Sequence, residues 1–211
     1  MKNTIKIAGY GSLVSKTSAL ETVPTLKNFK LGYVQGYKRI FNKVGIVFFR
    51  RGYVKADDKD LSSCATRVSP EHKIRVCTFD CPENDFQELY EREHRFRWIE
   101  VQVQNDDGTT EVARMCTENT DENYRLNKCV RPSTYQEYVG QYYSGRIWRD
   151  DILPNRKYLA FCINAFAALG EQDREGFLAS TFLSDGSTSI KEFLTSNPGY
   201  LEDVEEQYRQ S

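Results

Sequence analysis

The sequence predicts an α+β fold with strands early and helices late, and three features carry that reading. Ile5 and Ile7 alternate with polar residues and run into Gly9-Tyr10-Gly11-Ser12, the mark of a strand entering a tight loop. Apolar and aromatic runs punctuated by turn residues then continue to about residue 117. Beyond them the period becomes helical, with Tyr135, Tyr138, Val139, Tyr142 and Tyr143 on one stripe. Strands followed by helices in this way argue for segregated layers rather than alternating βαβ units.

The elements follow in order. Residues 29–49 predict two or three strands, with Lys38-Arg39 between Tyr37 and Phe41. Residues 62–68 and 73–79 predict two more, joined by a turn through Pro70. Pro82 suits the first turn of a helix, after which Phe86, Leu89, Tyr90 and Glu93 fall on one face. Residues 96–103 and 111–117 read as a hairpin around Asn105-Asp106-Asp107-Gly108. Ser133 with Gln136 predicts a capping box opening the tyrosine-rich helix, with Gly145 as its stop. Pro154 opens a further helix through Leu169, closed by Gly170, and Ser189 with Glu192 caps a last helix at Phe193-Leu194. An acidic tail follows Pro198, where fraying is expected. No repeat, linker or low-complexity stretch divides the chain, so residues 1–211 are read as one domain.

Composition narrows the function classes. The 211 residues carry a net charge of −1, without the basic excess that nucleic acids or anionic membranes attract. No apolar run reaches membrane-spanning length. The opening stretch is too short and too broken by Gly9 and Gly11 for a signal peptide, so the cytosol is the expected compartment. Six scattered cysteines without a CxxC pair, and only His72 and His94, show no metal-ligand spacing. Reduced thiols are expected, and a cysteine–histidine catalytic pair has little support.

Two places carry candidate chemistry. Glu93 shares its helix face with Phe86, Leu89 and Tyr90. A carboxylate there is desolvated, which predicts a raised pKa and a usable proton carrier. Pairing with Arg92, Arg95 or Arg97, or simple exposure past the helix end, are the plainer alternatives. The same basic cluster with His94, Phe96 and Trp98 invites a nucleic-acid reading, but Glu91, Glu93 and Glu100 interrupt it. The second place is the loop Tyr10-Gly11-Ser12-Leu13. Its backbone N–H groups can hold an anion, Gly11 permits close approach, and Ser12 offers a hydroxyl. No phosphate-loop lysine follows.

Taken together, these pieces resemble the γ-glutamyl cyclotransferase-like superfamily over residues 4–160. Ile7-Ala8-Gly9-Tyr10-Gly11-Ser12-Leu13 is similar to its N-terminal YGS loop. Leu89-Tyr90-Glu91-Arg92-Glu93 is similar to its glutamate-bearing helix end. Tyr138, with Gly145, Leu153-Pro154 and Tyr158 after it, is similar to a later stretch whose tyrosine faces the pocket. The resemblance implies a small mixed β-barrel of about five or six strands with flanking helices. It implies Glu93 as general base and then acid in release of 5-oxoproline from a small-molecule γ-glutamyl substrate. Tyr10, Gly11, Ser12, Leu13 and Tyr138 would contact that substrate, and no cofactor or metal would be needed. Arg39 and Arg97 are candidates for a second carboxylate, or else ordinary surface arginines. Three departures stand out: His94 where many members have glycine, Leu13 where asparagine is typical, and Tyr90 for a frequent aspartate. Leucine at 13 is nearer the ChaC-type, glutathione-acting branch. Residues 161–211 lie beyond the resemblance and read as a helical extension whose apolar stripes cover core or join subunits, which leaves room for a homodimer. A non-catalytic γ-glutamyl-binding module, or an interaction scaffold built on the tyrosine-rich helix, are the rival readings.

Overall fold

The computed structural model describes residues 4–202 and 204. β1 (Thr4–Gly9) runs through a single 3₁₀ turn, Ser12–Val14, into α1 (Lys16–Thr22). The Ser15 side chain caps α1 by accepting the Ser18 N–H. β2 (Lys27–Val44) is followed by α2 (Ile46–Arg50), and β3 (Ser62–Pro82) pairs antiparallel along most of β2. The sequence predicts several short strands over these two stretches, but each is one long strand. Gln35 pairs with Lys73 and Tyr37 with Val68, so residues 69–72 bulge out opposite Gly36, which has φ +86°. Pro70, with no N–H to give the ladder, sits in that bulge and accepts a 3.0 Å hydrogen bond from the Gln35 amide. The turn signal was read from a bulge.

α3 (Glu83–Arg92) leads to the hairpin β4 (Arg97–Asn105) and β5 (Thr110–Thr117), where the sequence puts it. α4 (Asp121–Asn127), which the sequence reading missed, is capped by Thr120. α5 (Pro132–Tyr135) begins at Pro132 without a side-chain cap, so the box expected at Ser133 is not formed. It passes into a π-helical turn, Gln136–Gly140, which ends the tyrosine stripe before Gly145. α6 (Arg156–Ala167) is capped by Asn155, and Gly170, at φ +135°, opens α7 (Glu171–Ser180). β6 (Thr181–Leu183) precedes α8 (Ile190–Ser196), whose Ser189/Glu192 capping box is present as expected. Of the acidic tail, residues 203 and 205–211 lie outside the described residues.

Five strands close in the order β3-β1-β5-β4-β2 and back to β3. The β1–β5 pair is parallel and the other pairs in the ring antiparallel, which makes the barrel mixed. β6 lies outside it, parallel to Arg39–Phe41 of β2. Residues beyond 161 therefore complete the sheet instead of trailing from it. Phe177 of α7 stacks on Phe166 of α6 with centroids 4.5 Å apart, and both rings flank the Arg39 guanidinium. A chain ended after Leu169 is expected to lose its cooperative thermal transition, because Phe166 and the outer edge of β2 would face water. Circular dichroism melting checks this. No helix among the described residues is long and apolar enough to cross a membrane.

Candidate active site

A cavity of about 550 Å³ gathers the ends of β1, β2 and β5 and the starts of β3 and β4. Tyr10, Gly11, Ser12 and Leu13 line it, and so do Glu93 and Tyr138. The structure thus brings every residue of the proposed set to one cavity.

The loop is built by close packing. A Cβ on Gly9 would lie 2.8 Å from Leu13 Cβ and 3.0 Å from Cys77 Sγ. Gly9→Ala is expected to push the Ser12–Val14 turn outward at a cost of about 1–3 kcal/mol, measurable by denaturant unfolding. Packing also favours glycine at 11: a Cβ there would meet the Tyr158 hydroxyl at 3.1 Å. The Ser12 amide faces Cys162, whose thiol is pushed up to about 12 by burial, opposed by Tyr158, Arg39 and that amide. The Gly11 and Leu13 N–H groups have no protein acceptor among the described residues, so they are the amides left to hold an anion.

Glu93 is the C-cap of α3, its N–H bonded to the Leu89 carbonyl at 3.0 Å. Its side chain is 22% exposed, and Oε1 accepts from Arg92 Nε at 2.9 Å. Burial raises its pKa, but Arg92, Lys43 and Arg95 together lower it more, so the net shift is downward. This corrects the raised pKa expected from the apolar helix face: three cations outweigh desolvation. At neutral pH Glu93 is an ionised acceptor.

Tyr138 stacks on His94, centroids 4.3 Å apart, and donates its hydroxyl to Glu91 rather than to Glu93. That bond, with burial, raises the Tyr138 pKa. His94 is buried and its Nδ1 lies 3.2 Å from the Tyr124 hydroxyl. The buried His94 ring thus packs between Tyr138 and Tyr124 at the end of α3. His72 Nδ1 lies against Ser69 and Glu71, so neither ring is bonded to a cysteine. Arg97 donates to the Glu118 carbonyl at 3.0 Å on the surface.

Arg39 is neither a surface residue nor a cavity residue. It is fully buried, and its Nε donates to the Tyr10 carbonyl at 2.6 Å while Nη2 donates to the Arg75 carbonyl. Burial brings its pKa down to about 10, which leaves it charged at neutral pH. It braces the loop from behind. Sequence reasoning missed Lys43 and named Arg95 only as a possible partner of Glu93; both line the cavity beside Glu93. For Lys43 a signal existed: it interrupts the apolar run from Ile40 to Phe49. Among the described residues no group of three or more His, Cys, Asp or Glu could hold a metal ion.

No family model matches the sequence, and no curated protein sequence matches it. Among solved structures, the chain is similar to YkqA from Bacillus subtilis, with 14% identity and a TM-score of 0.52 over 83% of this chain. It spans about half of that structure's length, 53%. It is also similar to a gamma-glutamyl cyclotransferase, with 15% identity and a TM-score of 0.45 over 69% of this chain and 94% of that one. A yeast gamma-glutamyl cyclotransferase specific to glutathione gives 14% identity and a TM-score of 0.46 over 78% of this chain and 87% of that one. At these identities the likeness concerns the fold.

Proposed function

We propose that the protein is a γ-glutamyl cyclotransferase-type enzyme that releases 5-oxoproline and a free amine from a γ-glutamyl compound. One observation carries the reading: a single cavity joins the Tyr10–Leu13 loop to the Glu93 carboxylate. That juxtaposition suits a substrate folded back on itself. Its α-nitrogen attacks its own γ-carbonyl carbon, the bond to the departing nitrogen breaks, and a five-membered lactam is left. Proximity does much of the work, because attacking and attacked groups belong to one bound molecule.

Glu93 takes a proton from the α-ammonium and passes it to the departing nitrogen. Both protons lost by the α-nitrogen end on the amine, which leaves as an ammonium. The Gly11 and Leu13 N–H groups support the substrate's anionic end or the oxyanion. Moving a proton from an α-ammonium of pKa about 8 to a carboxylate below 4.5 is uphill by roughly 5 kcal/mol or more. A substrate carboxylate against the surrounding cations would weaken their hold on Glu93 and reduce that climb.

Glutathione, a γ-glutamyl dipeptide and γ-glutamyl-lysine are the substrates to offer, with 5-oxoproline as the measured product. Release from any of them supports the reading, and tight binding without product would favour a non-catalytic module. Because Glu93 must be ionised and its pKa is lowered, kcat/KM should hold as pH falls to about 4.5 and decline only below it. A decline beginning near pH 6–7 would show that another group titrates or that Glu93 is not the base.

A further inference from the structure

One buried charged group in this cavity has no explanation in the reaction as described. Lys43, at the end of β2, is only 4% exposed, yet it lines the cavity. Its Nζ lies 4.4 Å from the centroid of the Phe96 ring. Among the described residues no oxygen accepts a hydrogen bond from it. Its ring contact offsets only part of the cost of burying an ammonium. Arg95 lines the same wall, donates Nη2 to the Arg92 carbonyl at 3.0 Å, and keeps a buried Nε with no partner.

The charges here do not balance. Arg92, Arg95 and Lys43 face one carboxylate, Glu93, while the neighbouring Glu91 is taken up by Gln87 and Tyr138. A buried guanidinium N–H and an ammonium lining the cavity, both without acceptors, call for an anion such as a carboxylate.

We infer that Lys43 and Arg95 form a carboxylate-binding subsite beside Glu93. This rests on the γ-glutamyl reading for its substrates and deepens it: the preferred substrate brings a carboxylate to this wall. The source is either the glutamyl α-carboxylate or a carboxylate on the departing amine, as in a γ-glutamyl amino acid or peptide.

The titration of Lys43 agrees with this. Burial, then Arg95, lowers its pKa to about 7, with Arg92 adding to the fall and Glu93 and Cys116 opposing it. These are the groups that face it from α3, from the turn after α3 and from β5. The sign follows. The folded pKa is below the unfolded one, so the destabilisation is full below about pH 7 and fades as pH rises toward 10.5. A carboxylate ligand should reverse the shift, so binding above pH 7 should take up a proton and weaken with rising pH.

The test compares wild type with Lys43→Met, which keeps the volume and removes the charge. The variant is expected to fold and, at pH 6, to melt no lower than wild type. Steady-state KM is measured for γ-glutamyl-glycine, which has a carboxylate on the leaving group, and for γ-glutamyl-ethylamide, which lacks one. Binding of glutarate is measured by calorimetry as a probe independent of turnover. A rise in KM of about 10- to 100-fold for γ-glutamyl-glycine alone, with kcat little changed, places the leaving-group carboxylate on Lys43. An equal rise for both places the α-carboxylate there. An unchanged KM for both overturns the subsite. If wild type turns over neither compound, glutarate decides. Binding lost in Lys43→Met keeps the subsite while the cyclotransferase reading fails, and binding that is absent or unchanged overturns the subsite too.

Discussion

Glu93→Gln is expected to leave a folded protein that releases 5-oxoproline about 10²–10⁴-fold more slowly, the usual effect of losing a general base. Glutamine keeps the shape and can still accept from Arg92, whose Nε sits 2.9 Å from Oε1. It cannot carry the proton. Lys43, Arg92 and Arg95 lose their shared counter-charge, so a stability loss on the order of 1 kcal/mol is also expected. Circular dichroism separates that from loss of chemistry. Turnover within tenfold of wild type in a folded variant would rule Glu93 out as the proton carrier.

Arg39→Ala carries the largest stability effect expected from a single change. The guanidinium satisfies the Tyr10 carbonyl, donates to the Arg75 carbonyl and fills the space against Phe166 and Phe177. Alanine takes one donor from each of two backbone oxygens and leaves a hole beside the stacked Phe166 and Phe177 rings. A loss of about 3–5 kcal/mol follows from those two effects together. For a chain of this length that lowers Tm by roughly 6–20 °C. Arg39→Met refills most of the hole but not the hydrogen bonds. It should lose less stability and still raise KM, because the Tyr10 carbonyl anchors the loop. A Met variant with wild-type KM would show that the loop holds its place without Arg39.

The parts legible in the sequence were those whose signals are local. The β1 strand with its glycine loop, the Phe86–Leu89 helix face, the Asp107-Gly108 hairpin and the Ser189/Glu192 box each depend on neighbours a few residues away. β2 was legible as strand but not as one continuous strand, because its second half is buried on both sides, by the barrel interior and by α6, α7 and β6. Residues Ile40 to Val44 are all buried, so the period-two alternation that marks a half-exposed strand vanishes. The cavity position of Glu93 agrees with the helix reading, while its pKa does not: Arg92, the adjacent residue offered as a plainer partner, lowers it most, and Lys43, distant in sequence, adds to that with Arg95. Arg39 looked like a surface arginine for the same reason: the rings that cover it come from residues 166 and 177.

Those rings have a consequence for the order in which the molecule is made. On the ribosome, β2 emerges long before the helix carrying Phe177, and domains commonly assemble as synthesis proceeds. Until that helix arrives, the Arg39 guanidinium lacks one of its two ring contacts, and β2 shows an open edge where Thr181–Leu183 will pair. A barrel that closed before that point would therefore present an unpaired strand edge on one side until residues 181–183 dock.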